Sequence, residues 1–242
     1  MRNFYRKLGF LASNYAKSLI YASVCGLPLT DNLDDAFSEM ETLLDRLNPY
    51  VEGFVWNPFS PNTAALSKLR TPEMFRKNAE LVSQSIGGKL KLVKIGPYDD
   101  TEEAKRNMLL LIEDWMTGGG DGVVTTNTYM VPKDQVPSKD WGYPSAGRSG
   151  RSLDSYRSRS VLDIREAFPD AVIIATGGIF DGDTAYQTLR YADAVEGYTP
   201  YTFYGLGLLP RIADRVSERL QREGFKNLEE MQKAYRERFS TR

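Results

Sequence analysis

Polar and glycine residues stand directly after five of the apolar runs that predict β-strands. They occupy positions 57–63, 94–97, 126–128, 177–179 and 198–199. Parallel barrels gather their chemistry at the carboxyl ends of their strands, so we expect these residues on one rim. Each cluster alone also has a structural explanation, as a turn, a solvated strand end or a tight connection. Together, and with amides suited to a planar polar ligand, they predict a ligand site.

The last two clusters are suited to a phosphate group. Gly177 and Gly178 let backbone N–H groups approach an anion closely, and a predicted helix follows with its positive N-terminus. Tyr198 and Thr199 come directly after the next predicted strand. Because parallel barrels usually bind phosphate in the loops after their last two strands, this pair of loops predicts a phosphorylated ligand.

Composition excludes several kinds of site. The chain has 242 residues and no histidine, which rules out a Ser-His-Asp triad, a histidine-bound zinc ion and a histidine base, and we expect no metal. The single cysteine, Cys25, allows no intrachain disulfide and indicates a reducing compartment. The chain has 31 basic and 32 acidic residues, so it lacks the excess of positive charge that would indicate a nucleic-acid partner.

The elements that must position these residues alternate between strands and helices. Strands are predicted at 18–24, 53–56, 90–95, 122–126, 172–176 and 194–197, and helices at 30–47, 72–85, 100–116, 183–191, 208–223 and 228–239. This order predicts an α/β fold with a parallel sheet, either a barrel or a doubly wound sheet. No Gly-x-Gly-x-x-Gly follows the first strand, which counts against the dinucleotide-binding version.

A long segment at 129–159 is predicted as a loop, rich in Pro, Gly, Ser, Arg and aromatic residues. Its Trp141 and Tyr143 either form a lid over the site or pack against each other. Its basic residues either bind the phosphate region or a partner, or face solvent, and we predict a solvated face for Arg157 and Arg159. The basic residues are Arg148, Arg151, Arg157 and Arg159.

Several of these segments resemble motifs of the dihydroorotate dehydrogenase family, FMN-binding (β/α) barrels that oxidise dihydroorotate to orotate in pyrimidine biosynthesis. Residues 57–63 (NPFSPNT) are similar to the family's active-site loop, and residues 6–10 (RKLGF) to its Asn-Arg-x-Gly-Phe segment. Segments 93–95, 121–128, 147–151, 176–179, 198–199 and 203–205 resemble further family motifs in the same order. The similarity runs from about residue 2 to residue 224.

The resemblance implies a flavoprotein oxidoreductase with assigned residue roles. Ser60 takes the place of the base that removes the C5 proton of dihydroorotate. The positions implied to hold the pyrimidine are Asn57, Asn62, Asn127 and Thr128. The positions implied to contact FMN are Lys94, Thr126, Gly150, Gly178, Tyr198 and Thr199. Serine is a poor base unless its own proton has an exit, so water or a neighbouring hydroxyl must relay that proton. A serine base is typical of the quinone-using class, but the electron acceptor stays open.

The chain also departs from the family pattern. We predict one domain over residues 1–242, a parallel (β/α) barrel of the TIM type with about six of the eight strands, since the family's first two strands are not found. Ser23 stands where the family has Asn, and Pro58 and Phe59 replace a small pair before the base. An incomplete barrel exposes strand edges, so we expect a second protein chain to cover the open edge.

Three functions remain open at this stage. The first is FMN-dependent oxidation of dihydroorotate, and the second is a non-catalytic subunit with a structural role in a larger complex. The third is a flavin barrel for another substrate, such as a dihydropyrimidine or a 2-hydroxy acid, although 2-hydroxy-acid oxidases rely on a histidine. Pyrimidine biosynthesis predicts a cytoplasmic protein. The alternative is mitochondrial, because the first thirty residues contain four basic and no acidic side chains.

Overall fold

The computed structural model describes residues 19–30, 33–61 and 63–240. The chain divides into two compact units, one of residues 1–94 with 110–122 and the other of residues 95–109 with 123–242. One domain over residues 1–242 stays a prediction. The segment at 6–10 that resembles a family motif lies outside the described residues, as does the basic N-terminus up to residue 18.

Two sheets contain all the strands of the described part of the chain. The strands are β1 (Tyr21–Val24), β2 (Gly53–Trp56), β3 (Leu90–Lys94), β4 (Gly122–Thr125), β5 (Tyr129–Pro132), β6 (Ser145–Arg148), β7 (Val172–Thr176) and β8 (Ala194–Glu196). Six of them form one sheet in the order β1-β2-β3-β4-β7-β8, and β5 pairs with β6 in a second, antiparallel sheet. The predicted α/β fold with six parallel strands is confirmed.

Helices connect the parallel strands. They are α1 (Asp34–Leu47), α2 (Pro72–Ile86), α3 (Glu102–Thr117), α4 (Asp154–Ala167), α5 (Gly182–Leu189), α6 (Thr199–Tyr204), α7 (Leu208–Glu223) and α8 (Leu228–Ser240). The six helices predicted from the sequence are present, with ends that differ by a few residues. Within the described residues, none of the helices is long and apolar enough to cross a membrane.

The first unit is built around β2, whose four residues are all buried. β2 pairs in parallel with β1 on one side and with β3 on the other, in the register Gly53 to Tyr21 and Gly53 to Leu90. Trp56 at the end of β2 stacks on Trp115 of α3, with ring centroids 5.7 Å apart, and meets Phe75 of α2 edge-on at 4.9 Å. Phe59, on the loop that follows β2, also contacts this aromatic cluster through Phe75.

The second unit packs α5, α7 and α8 into one apolar core. On α7, Leu208, Ile212, Val216 and Leu220 are buried at a spacing of four residues, which places them on one face. They meet Tyr186 of α5, and both Tyr186 and Met231 of α8 are fully buried. α7 ends at Gly224, whose left-handed conformation (φ 83°, ψ 13°) forms a regular helix C-terminus. The core fixes where the loops after β7 and β8 emerge.

The prediction of a long loop at 129–159 is wrong, because the hairpin β5–β6 and the first turn of α4 lie within that segment. α4 has no clear apolar stripe, since its buried face includes Arg157, Ser160 and Arg165 beside Val161 and Ile164. Polar residues on a buried face remove the helical periodicity that sequence reasoning depends on. At the tip of the hairpin the structure favours packing of two aromatic residues. The Trp141 and Tyr143 rings lie 5.5 Å apart, and the Trp141 indole N–H donates to the Ser145 carbonyl at 2.9 Å.

Candidate functional site

Three of the predicted site residues lie at strand ends of the first unit. Asn57 follows β2 directly and is half-buried, and its backbone N–H donates to the Val24 carbonyl at the end of β1 over 2.9 Å. Ser60 is also half-buried, three residues further along the loop. Lys94 is the last residue of β3 and is half-buried. Asn62 lies outside the described residues. Asn57 and Ser60 thus lie on the same loop, directly after β2.

An arginine and an aromatic ring hold the loop before Ser60. Arg70 Nε donates to the Pro58 carbonyl at 3.0 Å, and its guanidinium carbon lies 4.7 Å from the centroid of the Phe59 ring. Phe59 in turn meets Phe75 edge-on at 6.3 Å. Burial lowers the pKa of the Arg70 guanidinium. Pro58 and Phe59, the two residues that depart from the family pattern, are thus packed against the first unit. Their packing restrains the backbone that carries Ser60.

Cys25 is not suited to act as a nucleophile. The thiol lies after β1, and burial raises its pKa to about 12, with the negative charge of Glu39 adding to the rise. The nearby Trp56 indole and the positive charge of Arg70 oppose the rise but do not cancel it. Thiol chemistry requires the thiolate, so at neutral pH this side chain behaves as a small hydrophobic group.

In the second unit, three predicted site residues follow β4, and two of them have hydroxyls without a hydrogen-bond partner among the described residues. The Thr126 N–H donates to the Thr176 carbonyl at 3.1 Å, and the Asn127 side-chain oxygen accepts the Thr128 N–H at 2.9 Å. The Thr126 and Thr128 hydroxyl oxygens are buried and have no hydrogen-bond partner within residues 19–30, 33–61 and 63–240. A buried polar atom without a partner costs about 1–3 kcal/mol. These two hydroxyls are therefore suited to a polar ligand.

The glycine pair after β7 adopts a conformation that only glycine takes easily. Gly177 has φ 95° and Gly178 has φ 74°, both in the region that side chains disfavour. A Cβ atom on Gly178 would lie 2.9 Å from the backbone nitrogen of Asp154, and one on Gly177 would lie 2.9 Å from the Leu153 side chain. The pair thus packs tightly on the start of α4, with Gly178 buried and Gly177 partly exposed.

The loop before α4 also meets the loop after β8. Gly150 has φ 85°, and a Cβ atom there would lie 3.4 Å from the Thr199 methyl carbon and 3.7 Å from the Phe180 ring. The Thr199 hydroxyl donates to the Ser149 hydroxyl at 3.0 Å. Three loops that carry predicted cofactor residues therefore converge within the second unit. Tyr198 differs from this pattern, since its side chain is 83% exposed, and only its backbone lies with the converging loops.

Sequence reasoning missed one functional candidate, Arg157. The prediction of a solvated face is wrong for this residue, which is 2% exposed and donates to the Gly177 carbonyl at 2.6 Å. Arg159 is half-buried and binds the Tyr98 carbonyl. Burial lowers the pKa of the Arg157 guanidinium, and the charge of Asp154 opposes that change. A basic residue between Tyr156 and Ser158 gives no sequence signal for burial, so only the position of α4 reveals this contact.

Known proteins resemble this chain over most of its length. The family model for dihydroorotate dehydrogenase matches residues 13–220. A dihydroorotate dehydrogenase (quinone) from Rhodospirillum rubrum is 32% identical over 222 residues, which are 86% of this chain and 58% of the relative. One from Anaeromyxobacter dehalogenans is 29% identical over 204 residues, covering 81% of this chain and 54% of the relative. The chain thus spans a little over half the length of these relatives.

Solved structures share the fold. The structure of an Eimeria tenella DHODH in complex with ferulenol matches 93% of this chain and 66% of its own, with a TM-score of 0.78 at 23% identity. The ligand-free form from the same organism matches 84% of this chain and 60% of its own, with a TM-score of 0.70 at 27% identity. Since the family model covers well over half of the residues and the sheet agrees with it, this chain belongs to the dihydroorotate dehydrogenase family.

Proposed function

We propose that this chain binds FMN and oxidises dihydroorotate to orotate. The observation that carries the proposal is the convergence of three loops in the second unit, at Gly150, Gly177–Gly178 and Thr199, beside the ends of parallel strands. All three glycines have strongly positive φ angles, a backbone conformation in which successive N–H groups can form a concave anion site. Membership of the family supplies the identity of the ligand and of the substrate.

The residues present fit an FMN group. Backbone N–H groups of Gly150 and Gly178, with the Thr199 hydroxyl and the backbone of Tyr198, would hold the phosphate. The buried Thr126 hydroxyl has no hydrogen-bond partner in the described part of the chain. It would therefore be available to bind the polar edge of the flavin ring. Lys94, at the end of β3, supplies a positive charge for a reduced ring. FMN held by these residues would supply an acceptor for the hydride that leaves C6 of dihydroorotate.

The residues of this chain act on the second hydrogen that dihydroorotate loses, the proton on C5. Forming the C5–C6 double bond of orotate requires loss of a proton from C5 as the C6 hydride departs. We assign the removal of that proton to the Ser60 hydroxyl oxygen, whose own proton passes to water. A serine hydroxyl is a weak base unless its own proton is passed on, so we assign that relay to water. The Arg70 contact with Pro58 orients the loop for this step.

Polar side chains on the loops after β2 and β4 would hold the pyrimidine. Asn57, Asn62 and Asn127 carry carboxamides, which can donate to and accept from the ring amides of dihydroorotate. Asn127 is 8% exposed, and its side-chain oxygen already accepts the Thr128 N–H, so its orientation is set before substrate binds. The Thr128 hydroxyl, buried and without a partner among the described residues, is a further donor for the substrate.

Quinone is the electron acceptor that we propose, because both relatives described above bear the name dihydroorotate dehydrogenase (quinone). We propose a cytoplasmic protein, with mitochondria as the alternative. A 26% identical relative from Arabidopsis thaliana is named as mitochondrial and supports the alternative.

A non-catalytic structural role is the second candidate, favoured by an exposed apolar patch on the second unit. The patch consists of Tyr198, Phe203, Tyr204, Leu206 and Leu209, which are 54–83% exposed. It adjoins a cleft of about 390 Å³ lined in part by Phe180, Leu208 and Ile212. Exposed apolar surface is typical of protein interfaces, and this candidate includes the second protein chain predicted to cover the open barrel edge.

The visible absorption spectrum of the purified protein tests the two candidates first. A flavin band near one equivalent per chain supports the main proposal. Orotate formation from dihydroorotate should then be followed with a quinone analogue and with an artificial dye. A protein that stays colourless after incubation with FMN and that co-purifies with another chain in fixed stoichiometry supports the structural role. Coloured protein that forms no orotate with either acceptor refutes the assignment of substrate while leaving flavin binding intact.

A further inference from the structure

A buried arginine lies directly behind the glycine pair of the second unit. Arg157 is 2% exposed and stands in the first turn of α4. Its Nη1 donates to the Gly177 carbonyl at 2.6 Å, and its Nη2 donates to the Asp154 carboxylate at 2.5 Å and to the Ser158 hydroxyl at 3.2 Å. The guanidinium therefore joins the start of α4 to the loop after β7.

This position is unfavourable for a cation on local grounds. The first turn of a helix carries a partial positive charge, which repels an arginine. Removing a guanidinium from water is costly unless it is well paired. Asp154 offsets part of the charge, but its side chain is 55% exposed and water screens it. Residues that break local rules in this way cluster at functional sites, which motivates a search for what Arg157 acts on.

The group on which Arg157 acts is the peptide between the two glycines. The Gly177 carbonyl and the Gly178 N–H belong to the same planar peptide unit, so a donor that fixes the carbonyl also fixes the direction of the N–H. A charged donor on the carbonyl polarises the unit and makes its N–H a stronger donor. The Gly178 N–H is one of the groups to which the phosphate of FMN is assigned above.

We propose that Arg157 is a positioning residue for phosphate recognition, which orients and polarises the Gly177–Gly178 peptide so that the Gly178 N–H donates to the phosphate of FMN. The inference rests on the proposed binding of FMN and deepens it. It assigns the preference for a phosphorylated flavin to a side chain that does not touch the ligand. Binding of the ring and the ribityl chain is left to other residues.

Comparing FMN with riboflavin, which lacks the phosphate, isolates this effect. Dissociation constants of both flavins are measured for the wild type, Arg157→Gln and Arg157→Lys. Arg157→Gln should weaken FMN roughly tenfold, because the charged donor is lost. It should change riboflavin by less than about twofold, since riboflavin has no phosphate for the Gly178 N–H. Arg157→Lys keeps the charge without the planar fork, so its FMN affinity should lie between those of the other two proteins.

Arg165→Lys is the matched control. Arg165 is also 2% exposed and lies on the same helix, but it donates to the Pro169 and Ala171 carbonyls and to Asp193 instead of the glycine pair. Its substitution should lower the thermal midpoint and leave the ratio of FMN to riboflavin affinity unchanged. A purely structural role for Arg157 would give the same pattern as this control.

The outcomes separate the two proposals. Equal weakening of FMN and riboflavin in Arg157→Gln, or an unchanged FMN affinity, overturns the role of Arg157 while flavin binding by the wild type stands. A wild type that binds neither flavin overturns the proposed function, and the positioning role with it. If Arg157→Gln does not fold, the ratio measured for Arg157→Lys decides, since that variant keeps the buried charge.

Discussion

Replacing Gly178 by alanine tests the close packing of the glycine pair on α4. Alanine at φ 74° costs about 1–2 kcal/mol, because the left-handed region places Cβ too near the backbone. The added Cβ would also lie 2.9 Å from the Asp154 nitrogen and 2.9 Å from its Cα. Both are backbone atoms that cannot rotate away, so relief requires a shift of the chain. Overpacking of this kind adds about 1–3 kcal/mol.

Gly224→Ala separates these two contributions. Gly224 has φ 83° in the same unit, and no atom lies within 4 Å of a Cβ built there, so this variant carries the backbone cost alone. For a chain of this size, 1 kcal/mol shifts the thermal midpoint by about 2–4 °C. We expect Gly224→Ala to lower the midpoint by about 2–8 °C. Gly178→Ala, at about 2–5 kcal/mol in total, should lower it by about 4–20 °C.

Calorimetry and FMN titration measure the two effects. Gly178→Ala should also weaken FMN, because the backbone shift moves the N–H assigned to the phosphate, whereas Gly224→Ala should leave FMN affinity unchanged. Equal midpoints for the two variants, measured without ligand, would show that Gly178 does not pack on Asp154 as described. A weakened FMN affinity in Gly224→Ala would show that the affinity change reports general destabilisation.

Three further predictions concern the first unit. Ser60→Ala should keep its flavin absorption while kcat for dihydroorotate falls by about 10²–10⁴, the contribution typical of a positioned base; an unchanged kcat contradicts the assignment. Arg70→Ala frees the Pro58 carbonyl and uncovers the Phe59 ring, so orotate formation should fall while FMN affinity stays; proportional loss of both counts against this local role. The Cys25 thiol has a pKa raised from 9.0 to about 12, so the folded state binds its proton more tightly than the unfolded state. Its contribution to stability should be complete below pH 9 and decline between pH 9 and 12, and native protein at about pH 8 should resist alkylation that proceeds once the chain is denatured. A Cys25→Ala variant with the same alkaline decline would refute the stability part.

The parts of the fold that sequence reasoning found share a simple physical cause. β2 and β4 are buried at every position, so they read as short continuous apolar runs. α7 buries one residue in every four and exposes charged residues between them, which gives a clear helical period. The residues after the strands were predictable as a set, because parallel strands end on the same side of a sheet.

α4 escaped prediction for the opposite reason. Its buried face carries Arg157, Ser160 and Arg165, and their partners are far away in sequence. Ser160 shares a hydrogen bond with Thr125 at 2.5 Å, and Arg165 binds Asp193 at 2.9 Å. Burial of such side chains is favourable only when these partners are in place, so no local pattern reports it.

The amino-acid sequence by itself determined the order of the parallel strands and helices, the polar residues at the strand ends and the motifs of the family. Each of these depends on neighbours within a few positions, or on residue types at fixed spacing. Only the tertiary structure decided which polar groups meet. It placed Arg157 behind the Gly177 carbonyl, twenty residues away, and left the Thr126 and Thr128 hydroxyls without partners among the described residues. Hydrogen bonds form or fail over tenths of an ångström, and only the packing of distant elements fixes distances on that scale.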